Sequence, residues 1–284
     1  ELKKFVKNLN HMKLLISNIA WKYEENIKMI KLLNKKKIEL LEFAPDILLK
    51  KDYTKKNLLL TKKFWNSKNI KLYSMQSILY EVNDVFLYGT DVERKRFFKE
   101  IVRKINIAKS LGAKTIVFGS PKNRKTFKKS KFILDKIGLE MFKRIALYAK
   151  DKKILFCLEA NPKIYKAEYL NYTDDVLSIV KKIKNRYLKI NLDLSTVISN
   201  QENLKKILKE NISLIGHVQI SVPYLLNILK YKKKIKGLVK LLLLNNYKKN
   251  ISIEMNRPKK NLDKQVERSI DFVQDLLKDK KIIR

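Results

Sequence analysis

The sequence predicts a (β/α)8 barrel. Three observations support this reading. Eight short apolar runs recur along the 284 residues, and each leads into a longer segment with helical periodicity. The runs are near-continuous in Val, Ile and Leu, as strands covered on both faces of a parallel sheet require. Eight such units account for the chain length. A doubly wound open sheet shares the alternation but usually opens on a glycine-rich turn, and "SNIAWKYEEN" has no glycine. No linker, low-complexity tract or composition break marks a boundary, so residues 1–284 are expected to form one barrel domain.

The runs follow in order. "KLLISNIAW" (13–21) precedes "YEENIKMIKLLNKK", whose Ile27, Ile30 and Leu33 form a helical stripe. "KIELLEFAP" (37–45) and "IKLYSMQS" (70–77) come next. A helix over "DVERKRFFKEIVRKINIAKSLGAK" buries Phe97, Ile101, Ile105 and Ala108, and Gly112 stops it. "KTIVFGSP" (114–121), "KILFCLEANP" (153–162) and "LKINLDLST" (188–196) follow. Thr173 is the expected N-cap of "TDDVLSIVKKIKN", with Asp174 and Asp175 in its first turn. "SLIGHVQIS" (213–221), "NISIEMN" (250–256) and a last helix near residues 263–278 complete the set.

Composition narrows the partners. The formal charge is +37, but the lysines are spread over nearly every segment and do not alternate with stacking aromatics. Abundant Lys, Asn and Ile with scarce Arg, Gly and Pro match the codon bias of an AT-rich genome, so no specific nucleic-acid partner is expected. The densest apolar run, 238–244, is far short of a membrane helix, and no secretory signal pattern is visible. The single cysteine, Cys157, excludes an intrachain disulfide and suits a reducing cytoplasm, the expected location. Homo-oligomerisation stays open.

The polar residues fall at the C-terminal ends of the runs: Asn18, Glu42, Gln76, Ser120, Glu159 with Asn161, Asn191 with Asp193, His217 with Gln219, and Glu254. Charged groups inside apolar strands are costly unless paired or metal-bound. In a barrel these positions converge on the mouth where active sites sit. Any one of them could be a satisfied core polar group, but four consecutive strands ending in ligand-type side chains are harder to dismiss. Glu159, Asp193, the His217/Gln219 pair and Glu254 make an oxygen-rich set suited to a divalent ion such as Mn, Mg, Co or Zn. Lys122, Asn123 and Arg124 of "GSPKNR" are candidates for a phosphate or other anion, against a solvated loop, and Arg257 is a second candidate. Cys157 has no obvious base and reads as interior packing, and His11 as a surface or N-terminal residue.

The segments "IELLEFAP", "LYSMQSILY", "AKSLGAKTIVFGSPKNR", "CLEANP", "INLDLST", "GHVQIS" and "ISIEMN" resemble, in order and spacing, the sugar phosphate isomerase/epimerase group of xylose-isomerase-like barrels. The resemblance covers nearly the whole chain. It implies a metal held by Glu159, Asp193, the strand-seven position and Glu254. The family usually reads His-x-His at strand seven, with the second histidine as ligand; here that place is Gln219. Three outcomes stay open: weak coordination by the Gln219 amide, substitution by His217, or loss of the metal.

The reaction implied is proton abstraction beside a carbonyl, through an enediolate, on a small carbohydrate. Glu159 and Glu254 would be the catalytic pair, one removing a proton and the other returning it. Glu42, Gln76, Asn161 and His217 would contact the substrate. Two alternatives compete. An apurinic-site endonuclease of the same superfamily needs several histidines, and the chain has two. A degenerate barrel acting as a binding or assembly protein is suggested by Gln219.

Overall fold

In a computed structural model, residues 12–279 and 281–282 are described. His11 lies outside them. Strand β1 (Leu14–Ser17) pairs in parallel with both β2 (Leu40–Phe43) and β8 (Ile251–Ile253). Between them run β3 (Lys71–Met75), β4 (Thr115–Phe118), β5 (Leu155–Glu159), β6 (Leu188–Asp193) and β7 (Ile215–Ile220), in sequence order around a closed barrel. Every strand lies inside one of the eight apolar runs. A parallel sheet buries both faces, so the runs can be apolar throughout.

The helices are α1 (Asn26–Lys35), α2 (Pro45–Leu49), α3 (Lys55–Ser67), α4 (Asp91–Leu111), α5 (Lys131–Lys152), α6 (Thr173–Ile183), α7 (Leu194–Ser199), α8 (Leu204–Asn211), α9 (Lys232–Leu244) and α10 (Leu262–Lys278). Helix α4 shows how sequence sets the layers. Thr90 and Glu93 form a capping box at its start, and Gly112 ends it at φ 92°, a conformation that a side chain would strain. Its Phe97, Ile101, Ile105 and Ala108 are fully buried, and Phe97 meets Phe118 of β4 edge-on. Each such ring contributes about 1.5–3 kcal/mol by leaving water.

Two local expectations shift. Ile27 is 54% exposed, because α1 begins at Asn26 and turns Met29, Ile30 and Leu33 inward instead. Thr173 is the first helical residue of α6 rather than its cap; Tyr172 holds that place, and its backbone N–H donates to Asp175.

Register then sorts the polar residues. Ser17 pairs with Glu42, Glu42 with Ser74, Glu159 with Asn191, Asn191 with His217, Asp193 with Gln219, and Gln219 with Ser252. Residues in register share a face of the sheet. This barrel therefore carries an unusually polar interior towards its C-terminal end. Among the described residues, no helix is long and apolar enough to cross a membrane.

Candidate active site

At the C-terminal mouth lies a cavity of about 280 Å³. Glu159, Asp193 and Glu254, at the ends of β5, β6 and β8, face it together with Gln76 and Asn161. Leu79, Tyr80, Val117, Tyr165 and Leu225 supply apolar wall, and Lys122 stands at the rim. The barrel thus brings together most of the carboxylates and amides expected from the sequence. Sequence reasoning missed Tyr165, which accepts from the Tyr224 N–H and shares a hydrogen bond with Ser195. It also missed Leu79, Tyr80 and Leu225, because loop residues carry no periodic signal.

Each carboxylate has a different support. Glu159 Oε1 accepts from Asn161 Nδ2 at 2.7 Å, and Oε2 from Asn191 Nδ2 at 2.9 Å. Burial pushes its pKa up to about 8, with the Asp193 charge adding to the rise and the two amides and Arg124 opposing it. Asp193 caps α7: its oxygens accept from the Ser195 and Thr196 N–H groups, the Thr196 hydroxyl and the Ser221 hydroxyl. Burial still raises its pKa. The Glu254 pKa is raised well above the usual carboxylate range, first by burial and then by the charges of Glu159, Asp193 and Glu42. Close carboxyl groups that cannot all ionise will share protons near neutrality.

Gly119, at the end of β4, makes the arrangement possible. A Cβ there would stand 2.8 Å from Glu159 Oε1 and 3.0 Å from both amide atoms of Asn161.

Below the cavity lies a second polar layer. Glu42 is fully buried; its Oε2 is 2.7 Å from His217 Nε2, and its Oε1 accepts from Gln219 Nε2 at 2.9 Å. Burial pushes the Glu42 pKa up, but the His217 charge and these hydrogen bonds outweigh it and hold it below the usual value. Gln219 Oε1 accepts from Asn191 at 2.5 Å. Glu42, His217 and Gln219 therefore form the floor, and none is among the residues lining the cavity. Glu42 and His217, expected to contact the substrate, therefore lie outside the cavity lining; Glu42 meets both His217 and Gln219, which is why the three tolerate burial.

The expected anion site also changes. Asn123 donates to the carbonyls of Val82 and Val85, bracing the loop after β3. Arg124 is 1% exposed and turned inward. Arg257 pairs with both oxygens of Glu25, whose pKa falls to about 2, its hydrogen bond with Arg257 being the main cause. Of the four, Lys122 and Asn123 line the cavity, the Lys122 Nζ standing 5.2 Å from the Tyr80 ring centre, and the Asn123 amide nitrogen is already committed to the two carbonyls. Gln76 does line it, and donates to Ser17 at 2.9 Å.

The donor set does not fit a divalent ion as arranged. Gln219 has spent its amide oxygen on Asn191 and its nitrogen on Glu42. Asp193 has spent both oxygens on the α7 cap. Among the described residues, no three His, Cys, Asp or Glu side chains are grouped to hold one ion.

A family model described as xylose isomerase-like TIM barrel matches residues 36–276. The chain belongs to that family. No curated protein matches it in sequence. Among solved structures, this family member is similar to D-psicose 3-epimerase from Clostridium cellulolyticum H10, at 17% identity and TM-score 0.74, covering 94% of this chain and 99% of that one. It is also similar to 3-keto-D-glucoside 4-epimerase from E. coli, at 16% identity and TM-score 0.75, covering 93% and 99%. A D-allulose 3-epimerase from Methylomonas sp. gives 15% identity and TM-score 0.74, covering 93% and 97%. At these identities the likeness establishes the fold.

Proposed function

We propose that this barrel is a sugar isomerase or epimerase that moves a proton beside a carbonyl, with Glu159 and Glu254 as the acid–base pair. The observation that carries the reading is their placement: two carboxyl groups with raised pKa values face one sugar-sized cavity. The reaction needs one of the two ionised as base and the other holding its proton as acid.

The ionised carboxylate removes the proton from the carbon next to the carbonyl. The C–H electron pair becomes the C=C bond of an enediolate, and the carbonyl π pair moves onto oxygen. The protonated partner supplies a hydrogen bond to that oxygen or returns a proton to carbon. Return to the opposite face, as the oxygen lone pair re-forms the carbonyl, inverts the centre; return to the former carbonyl carbon, with the neighbouring hydroxyl proton passing to the enediolate oxygen as the new C=O forms, exchanges ketose and aldose. Asn161 and Asn191 hold Glu159 in place, and the apolar wall limits water. No step is assigned to a metal.

An uncharged sugar suits the lining better than a phosphorylated one. Three carboxylates face the cavity, and the cation among its lining residues is Lys122, exposed at the rim. The decisive experiment incubates the protein with free ketopentoses and ketohexoses and with their phosphates, and follows new epimers or aldoses by chromatography. Turnover of a free sugar supports the reading. No product from any sugar would favour the second reading, a binding barrel, which the committed Gln219 amide suggests.

A further inference from the structure

Arg124 presents a problem that the proposed reaction does not explain. Its guanidinium is 1% exposed, yet no carboxylate pairs with it among the described residues. Its hydrogen bonds end on neutral oxygens: the Glu159 carbonyl at 3.2 Å and Asn161 Oδ1. Its Nε has no partner. A buried cation with no carboxylate in direct contact is expensive, and a residue that only tied two loops together would not need a charge.

We propose that Arg124 is a positioning residue for Glu159, acting through the side-chain amide of Asn161. This rests on the isomerase/epimerase reading above. A guanidinium has donors and no acceptor, so Asn161 must turn its oxygen towards Arg124. Its Nδ2 then faces Glu159 Oε1, to which it donates at 2.7 Å. Reversing that amide would set two donors against each other at Arg124 and two acceptors against each other at Glu159.

The rest of the surroundings leave the amide one good orientation. The Asn161 backbone is fixed, its N–H donating to the Leu170 carbonyl at 3.1 Å and its carbonyl accepting from Asn171 at 2.9 Å. Gly119 opposite offers no side chain to steer it. On the far side Asn191 holds Glu159 Oε2 at 2.9 Å. Glu159 is therefore clamped between two amides, and Arg124 sets the direction of one of them. Arg124 does not itself line the cavity; it reaches Glu159 through this contact, beside the pull of its charge on the Glu159 carboxyl, which the Arg124→Lys variant retains.

The test compares Arg124→Met and Arg124→Lys with wild type in two ways. The first is steady-state kinetics on the sugar that wild type turns over. Loss of Glu159 alignment should lower kcat by roughly tenfold to a hundredfold in Arg124→Met while KM stays within about twofold. Arg124→Lys, which restores a buried donor, should recover part of kcat. The second is the Asn161 side-chain NH2 resonance in the substrate-free protein, assigned with an Asn161→Ser variant. It should move in Arg124→Met and return towards its wild-type position in Arg124→Lys.

Wild-type kcat in Arg124→Met with only a lower melting temperature would overturn the proposal and leave Arg124 a structural brace. So would an unmoved Asn161 resonance. If wild type turns over no sugar, the functional reading fails by itself, and the resonance still decides whether Arg124 orients Asn161. If Arg124→Met does not fold, Arg124→Lys carries both measurements: unchanged kcat and an unmoved resonance would overturn the proposal, while a partial loss of kcat with a shifted resonance supports it.

Discussion

Replacing Glu159 by glutamine should stabilise the protein at alkaline pH relative to wild type. Burial, with the Asp193 charge, raises the Glu159 pKa from 4.5 to about 8. The folded value lies above the unfolded one, so between these limits the native state binds more protons than the unfolded chain. Stability is then fully present below about pH 4.5 and is lost as pH rises through about 8. At about 1.4 kcal/mol per pKa unit, ionising Glu159 costs the native state at most roughly 5 kcal/mol. Asp193 and Glu254 share that repulsion, so removing one charge should release about 2–4 kcal/mol. The glutamine also loses an acceptor facing Asn161 or Asn191, a penalty that does not vary with pH. The informative quantity is therefore the change with pH in the stability difference between the two proteins. Urea denaturation at about pH 5 and about pH 8.5, with equal m-values, measures it. A difference that stays constant, or that moves in favour of wild type at high pH, would refute the reasoning.

The floor and walls give three further expectations. Gly119→Ala places a Cβ 2.8 Å from Glu159 Oε1, and should cost about 1–3 kcal/mol in thermal or urea unfolding together with most of the turnover. His217→Phe leaves Glu42 buried without its 2.7 Å partner, so unfolding free energy should fall by roughly 3–5 kcal/mol. Calorimetric titration with Mn2+ should show no stoichiometric binding to wild type, because the Gln219 amide is committed at both ends. Gln219→His should bind more strongly, imidazole being the better donor, and tight binding by wild type would contradict this account of the floor.

How far the sequence could be read depends on the kind of information each residue carries. Strand positions were legible because apolar runs between helical segments reflect burial on both faces, and Gly112 marks a helix end by its own backbone freedom. The three carboxylates at the mouth were legible because a charge at the end of an apolar strand needs a reason. The direction of Arg124 was not, since a loop cation looks the same whether it faces solvent or Asn161. Nor was the role of Gln219: its partner Glu42 lies 177 residues away, on the other side of the closed barrel. The hydrogen bonds of Asp193 had a readable signal that was passed over. "DLST" after a strand is a helix N-cap pattern, and Asp193 caps α7 through Ser195 and Thr196.

The central claim is that Glu159 and Glu254 carry the proton beside a sugar carbonyl, and its epimerase form has both exchange with one carbon. The most direct measurement is deuterium wash-in from D2O at the carbon beside the carbonyl, followed by NMR for each epimer of the substrate pair. The account predicts that wild type labels and interconverts both epimers. Glu159→Gln and Glu254→Gln should each abolish interconversion while retaining slow exchange with one epimer, opposite for the two variants. Interconversion at the wild-type rate in either variant would contradict it.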